Sequence, residues 1–146
     1  MTLGEKLETL RKERGMSRPA MAEALGVAYV SYYVWETNGR DPHISGIELL
    51  ADYFNVSVDW LLCRTDNREI IGQRATDGKT LGKRLAMKMK QLNIKRYVLA
   101  EELDTREQMI TFWKKDVFSP RAYNLTNLAD ILGVSADWLL GRSDKE

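Results

Sequence analysis

The sequence contains a second copy of itself. Trp60-Leu61-Leu62 returns as Trp138-Leu139-Leu140, an offset of 78 residues. The same offset, without gaps, carries Thr2-Leu3-Gly4 onto Thr80-Leu81-Gly82, Ala22-Glu23 onto Ala100-Glu101, Trp35 onto Trp113 and Pro42 onto Pro120. It also carries Leu50-Ala51-Asp52 onto Leu128-Ala129-Asp130 and Val56-Ser57 onto Val134-Ser135. Two isolated matches could be chance; a gap-free match through a whole unit reads as duplication. The chain is therefore expected to fold as domain one (1–66), a linker (67–79) and domain two (80–146). The linker carries Gly72 and Gly78 among mixed polar residues. Domains of about 65 residues fold alone only on a compact core.

Charge divides unevenly between the copies. Residues 1–66 hold 7 Lys and Arg against 10 Asp and Glu, a net −3, whereas 79–146 hold 13 against 9, a net +4. The balance of +1 over the whole chain hides this split. No apolar run approaches the ~18 residues that span a membrane, and the N-terminal stretch lacks the apolar core of a signal peptide. A single cysteine, Cys63, cannot form an internal disulfide. These features point to a cytoplasmic protein.

Periodicity predicts five short helices per domain and no strand, an all-α fold. Leu3, Leu7 and Leu10 recur at i, i+4 and i+7, and Leu81, Leu85 and Met89 keep a similar stripe. Gly15 and Asn93 suit the residue that ends a first helix. Ser17 suits a cap, with Pro19 in the first turn. After the third helix come the loop Asn38-Gly39-Arg40-Asp41-Pro42, a fourth helix with Ile47, Leu50, Ala51 and Phe54, and a fifth starting at Ser57.

The second and third helices carry a specific pattern. Domain one has Met21-Ala22, Leu25, Gly26-Val27, Tyr32 and Trp35; domain two has Leu99-Ala100, Leu103, Asp104-Thr105, Ile110 and Trp113. The small Ala22 and Ala100 allow the two helices to cross. Gly26 fits a left-handed turn, and Asp104 tolerates that conformation better than most residues. Tyr32, Ile110, Trp35 and Trp113 are expected to turn inward, with Trp60 and Trp138 also in the core, leaving the opposite face of the third helix exposed. Ser17-Arg18-Pro19-Ala20-Met21-Ala22-Glu23-Ala24-Leu25-Gly26-Val27, then Trp35-Glu36 and Asp41-Pro42, resemble the Cro/CI-type (XRE-type) helix-turn-helix family of phage repressors and bacterial regulators. The tails Val56-Ser57-Val58-Asp59-Trp60-Leu61-Leu62 and Val134-Ser135-Ala136-Asp137-Trp138-Leu139-Leu140-Gly141-Arg142 resemble that family's last helix. The resemblance covers nearly everything except the linker. It implies two tandem five-helix, lambda-repressor-like domains and a sequence-specific, double-stranded-DNA-binding transcriptional regulator of the phage or prophage repressor type.

That family lays its third helix in the major groove and its second across the backbone. By position, the base-facing residues of domain two would be Arg106, Glu107, Gln108, Thr111 and Phe112. Arg suits guanine, Gln adenine and Glu the cytosine amino group. Lys95, Arg96, Lys114 and Lys115 would meet phosphates, as would Arg18 in domain one. The equivalent face of domain one is Ala28, Tyr29, Val30, Tyr33 and Val34, which carries no charge. Two readings stay open for it. It contacts thymine methyls, with Arg11, Lys12, Arg14, Arg18 and Arg40 holding the backbone. Or Tyr29, Tyr33 and Val34 bind protein, a partner or a second copy, as an antirepressor or antitoxin-like module would.

An enzyme is not expected: no Ser/His/Asp set, Gly-rich phosphate loop or metal spacing is present. No metal site or cofactor is implied. His43 and Cys63 read as surface residues, and Ile70-Ile71 as a short apolar contact. No autocleaving domain is expected within these residues. A free linker of ~13 residues spans ~20 Å on average and ~45 Å when extended. Half-sites one helical turn apart lie ~34 Å from one another. One chain is therefore expected to cover two half-sites of an asymmetric operator.

Overall fold

The computed structural model describes residues 1–146. It is all-helical and divides into two compact units, Met1–Glu69 and Ile70–Glu146. The first holds α1 (Leu3–Glu13), α2 (Arg18–Leu25), α3 (Tyr29–Glu36), α4 (Ile44–Phe54) and α5 (Val58–Leu61). The second holds α6 (Leu81–Gln91), α7 (Arg96–Glu102), α8 (Glu107–Lys114), α9 (Ala122–Leu132) and α10 (Ala136–Leu139). Every helix of the second unit begins 78 residues after its counterpart, so the duplication seen in the letters is a duplication of structure. The longest helix has 11 residues, too short to cross a membrane.

Local chemistry sets the helix ends. The Thr2, Ser17 and Ser57 side chains accept from the backbone N–H of Glu5, Ala20 and Trp60. Thr80 and Ser135 do the same for Lys83 and Trp138. Each bond satisfies an N–H that the helix cannot, a contribution of about 1 kcal/mol. Lys95 stands where Ser17 does and makes no such side-chain bond. Gly15 and Asn93 both adopt positive φ just beyond the first helix, as their positions implied.

The core of unit one gathers Leu7, Leu10, Met21, Tyr32, Ile47, Leu50 and Leu61; that of unit two gathers Leu85, Leu99, Ile110, Leu125, Leu128 and Leu139, all essentially inaccessible. Trp60, Trp113 and Trp138 are buried as expected. Trp35 is only half-buried. It lies against Gly46 of α4, where a Cβ would come 2.9 Å from the indole Cζ2. The ring therefore caps the edge of the core instead of filling it.

The segment 67–79, expected as free linker, is largely bound. Arg68 O accepts from Ser57 N at 2.9 Å, and the Arg68 guanidinium pairs with Glu13. Beyond it, a strap from Ile71 to Asp77 runs over unit two. Ser143 Oγ donates to Ile71 O, Gln73 N to Asp144 Oδ1 at 3.0 Å, Asp144 N to Gln73 O at 2.7 Å, and Ala75 N to Gly141 O at 3.1 Å. Asp77 then meets Arg84 at 2.8 Å. Backbone groups that would otherwise turn to water are paired instead, so the free span of ~13 residues is not what the chain has. The side chains of Ile70 and Ile71 stay exposed; the strap is held by its backbone and by the Asp77 carboxylate.

Candidate nucleic-acid interface

The exposed face of the third helix is positioned by two joints. The first is the turn from the second helix. Gly26 has φ 71°, and its N–H and that of Val27 close the end of α2 on Glu23 O and Ala22 O, both at 3.0 Å. Asp104 takes the same left-handed conformation at φ 51°. Its N–H and that of Thr105 bond to Glu101 O at 3.1 Å and Ala100 O at 2.9 Å. The missing glycine in unit two therefore changes the cost of the turn, not its shape.

The second joint pins the far end of the third helix to the start of the first. Gly4 N donates to Asn38 Oδ1 at 3.0 Å, and Gly82 N to Asp116 Oδ1 at 2.9 Å. A Cβ at Gly4 would lie 2.2 Å from Glu36 O, and one at Gly82 2.5 Å from Trp113 O. The repeated Thr-Leu-Gly is thus the signature of a close helix contact, which the sequence displayed without disclosing its purpose.

In unit one this frame presents Tyr29, Val30 and Tyr33 to solvent, at 46%, 69% and 42% exposure. Ala28 is the exposed N-cap residue and Val34 is half-buried, near Gly39. The Tyr29 and Tyr33 rings lie 6.0 Å apart. Arg18 is not simply presented beside them. Its guanidinium pairs with Glu36 and lies 5.4 Å from the Tyr33 ring. Glu36 also receives Arg11 at 2.7 Å and the Tyr32 hydroxyl at 2.8 Å, and its side chain is fully buried. Burial pushes that carboxyl's pKa up; hydrogen bonds from Arg11, Arg18 and Tyr32 outweigh it and hold the group below its ordinary range. Burial, then the same hydrogen bond, pushes the Tyr32 phenol up. Among the other cations considered for the backbone, Lys12 pairs with Glu8 and Arg14 packs over Tyr53 and Phe54; Arg40 is exposed.

Unit two presents a different surface on the same frame. Arg106, at the N-cap of α8, is exposed together with Glu107 and Gln108, while Thr111 and Phe112 are half-buried. Arg96 reaches across from α7 to Glu107 at 3.3 Å and to Thr111 Oγ1 at 2.9 Å. Lys95, Lys114 and Lys115 border the face at helix ends. In unit one Ser17, Ala28, Glu36 and Thr37 stand in place of Lys95, Arg106, Lys114 and Lys115, so three bordering cations and the cation of the face itself are missing there. Phe112 also packs edge-on against Phe118, 5.3 Å between centroids. Phe118 escaped the sequence reading; its one signal is that it replaces Arg40 of the first copy.

A helix-turn-helix family model, of the XRE type, matches residues 7–61 and again residues 85–139. Both matches contain the two helices and turn just described. Among curated proteins, the chain is 33% identical over 63 residues to YobD, an uncharacterized HTH-type transcriptional regulator of Bacillus subtilis (strain 168), covering 43% of this chain and 56% of that one. It is 32% identical over 69 residues to the HTH-type transcriptional regulator AnsR of the same organism, covering 47% and 60%. It is 30% identical over 78 residues to YonR, an SPbeta prophage-derived uncharacterized HTH-type transcriptional regulator, also of that organism, covering 53% and 72%. The aligned part thus spans less than two thirds of YobD or AnsR, about one unit's worth of chain. No solved structure matches.

Proposed function

The chain belongs to the helix-turn-helix family through both of its units, and we propose on that premise that it is a transcriptional regulator that binds double-stranded DNA sequence-specifically, as a phage or prophage-type repressor acting in the cytoplasm. Unit two is the main reading head. One observation carries this: an exposed polar face, Arg106, Glu107 and Gln108, stands on a frame bordered by Lys95, Arg96, Lys114 and Lys115. The cations place the domain on phosphates, and the polar groups match base edges in the major groove. The prophage-derived relative, a transcriptional regulator by name, supports the phage or prophage part of this reading.

Unit one serves a different purpose in this reading. Its reading-helix face is apolar, Glu36 draws Arg18 inward, and the unit carries net negative charge, all of which disfavour approach to phosphate. Tyr29, Tyr33 and Val34 form a protein-binding face, toward a partner or a second copy.

Selection of bound duplexes from a random pool, with the full chain at graded salt, tests the function. Affinity should fall steeply with salt as phosphates are neutralised and counterions released. The chain with Arg106→Ala should lose preference at one base position by about 1–3 kcal/mol. Absence of duplex binding even at low salt would remove the reading.

A further inference from the structure

We propose that unit one carries a docking site for an extended segment of a partner polypeptide bearing an aspartate side chain. The site is a cavity of about 340 Å³ lined by Lys6, Trp60, Cys63, Thr65, Asp66 and Arg68, with Met1 at its edge, where the Cys63 thiol donates to Met1 O at 2.9 Å. No residue of α3 lines it, and it does not depend on the DNA-binding function.

The duplication supplies the argument. On unit two, four residues grip the strap. Arg84 takes the Asp77 carboxylate at 2.8 Å, Gly141 O accepts from Ala75 N at 3.1 Å, Ser143 Oγ donates to Ile71 O, and Asp144 Oδ1 accepts from Gln73 N at 3.0 Å. The Arg84 guanidinium also lies 4.9 Å from the Trp138 ring. Shifted back by 78, these positions are Lys6, Cys63, Thr65, Asp66 and Trp60. All five line the cavity of unit one. The chemistry is kept at each: a cation, a backbone carbonyl, a hydroxyl, a carboxylate and an indole. The backbone is kept too, for Cys63 and Gly141 share the left-handed conformation at φ 62° and 72°.

The electrostatics point the same way. Lys6 is only 6% exposed, donates to Trp60 O and lies 4.6 Å from the Trp60 ring. Neither contact neutralises its charge, and a buried ammonium is costly without a counter-charge. Its counterpart Arg84 has one in Asp77. Arg68, 4.8 Å from the same indole, adds a second cation at the rim. A carboxylate entering the cavity completes on unit one the ion pair that unit two makes internally.

The test uses the full chain and a synthetic peptide of residues 70–79, Ile-Ile-Gly-Gln-Arg-Ala-Thr-Asp-Gly-Lys. Cys63 is exposed and lines the cavity, so the rate of its alkylation reports occupancy of unit one alone. The peptide should slow alkylation in a saturable manner. Its Asp77→Asn version, which leaves the protein untouched, should bind about ten-fold or more weaker. Lys6→Met in the chain should weaken binding similarly, and Lys6→Arg should retain it. Failure of the peptide to protect Cys63 overturns the proposal, as does equal binding by the Asn version. Equal protection by free aspartate would make this a site for small carboxylates and overturn the peptide occupant. Sedimentation covers the last source: a dimer of the full chain that dissociates on Lys6→Met would make the occupant a second copy and overturn the partner.

Discussion

Arg11 and Glu36 meet at 2.7 Å inside unit one, whereas the same two places in unit two hold Met89 and Lys114. Arg18 and Tyr32 complete the cluster around Glu36; their counterparts are Arg96, turned outward to Glu107, and Ile110, buried in the core. One frame has thus been built with an ionic cluster in one copy and with apolar packing in the other. A buried ion pair and its hydrophobic replacement are often close in stability, but losing one partner of the pair is expensive.

Glu36→Gln should therefore destabilise unit one by about 3 kcal/mol. The lower end of the usual range applies because Arg18 is about a third exposed and water screens it. Denaturant unfolding read by amide signals of each unit would show it. The equivalent change in unit two, Lys114→Gln, should alter stability by no more than about 0.5 kcal/mol.

Acid should act on the units unequally for the same reason. Against burial, which raises it, hydrogen bonds from Arg11, Arg18 and Tyr32 hold the Glu36 carboxyl below its ordinary value of 4.5 in the folded chain. A depressed carboxylate contributes stability above its unfolded pKa and loses it as pH falls through the folded one. Unit one should lose amide protection as the solution is acidified below about pH 4.5. That acid-sensitive step should be absent in the chain with Glu36→Gln, and its persistence there would assign it elsewhere.

Arg96→Ala separates positioning from stability in unit two. The Arg96–Glu107 pair is half exposed at both ends, so its loss should cost less than about 1 kcal/mol. Glu107 would then be released on the reading face. Base preference at one position should broaden while the melting temperature barely moves. A lowered melting temperature with unchanged preference would make Arg96 structural only.

The double change Tyr29→Ala with Tyr33→Ala decides what unit one touches. Self-association or partner capture should disappear, with the affinity of unit two by itself for duplex DNA unchanged. Loss of half the DNA footprint, with association intact, would make unit one a second reading head.

The strap should fail at Gly72. A Cβ there would meet Asp144 Oδ1 at 2.4 Å and Ser143 Oγ at 2.9 Å, on a backbone at φ 76°. Gly72→Val should lift the strap, speed hydrogen exchange at the Gln73 and Ala75 amides and cost about 1–3 kcal/mol. Gly78, at φ 69° but with nothing near its Cβ position, should cost about 1 kcal/mol on change to Ala, from the backbone alone.

What the sequence determined by itself was everything that depends on neighbours along the chain. Repeated letters gave the duplication. Apolar periodicity gave ten helices. Ser17 and Ser57 marked their starts, and Gly26 with its stand-in Asp104 marked the turn, because caps and left-handed turns are satisfied within a few residues. The exposed face of each third helix followed, since Tyr32 and Ile110 fix which side turns inward. Tertiary structure alone decided which charges remain available. Arg18 and Arg96 occupy the same place in the repeat, yet a carboxylate 18 residues ahead draws one inward and one 11 residues ahead holds the other outward. Lys6 looks like a surface lysine on an amphipathic helix until Trp60 O, 54 residues away, receives it in the core. The segment 67–79 has the composition of a linker, yet its backbone groups, together with the side chains of Arg68 and Asp77, bind it, and backbone groups are the same in every sequence. Charge pairing and backbone pairing over such separations leave no periodic trace, so only the folded chain reveals them.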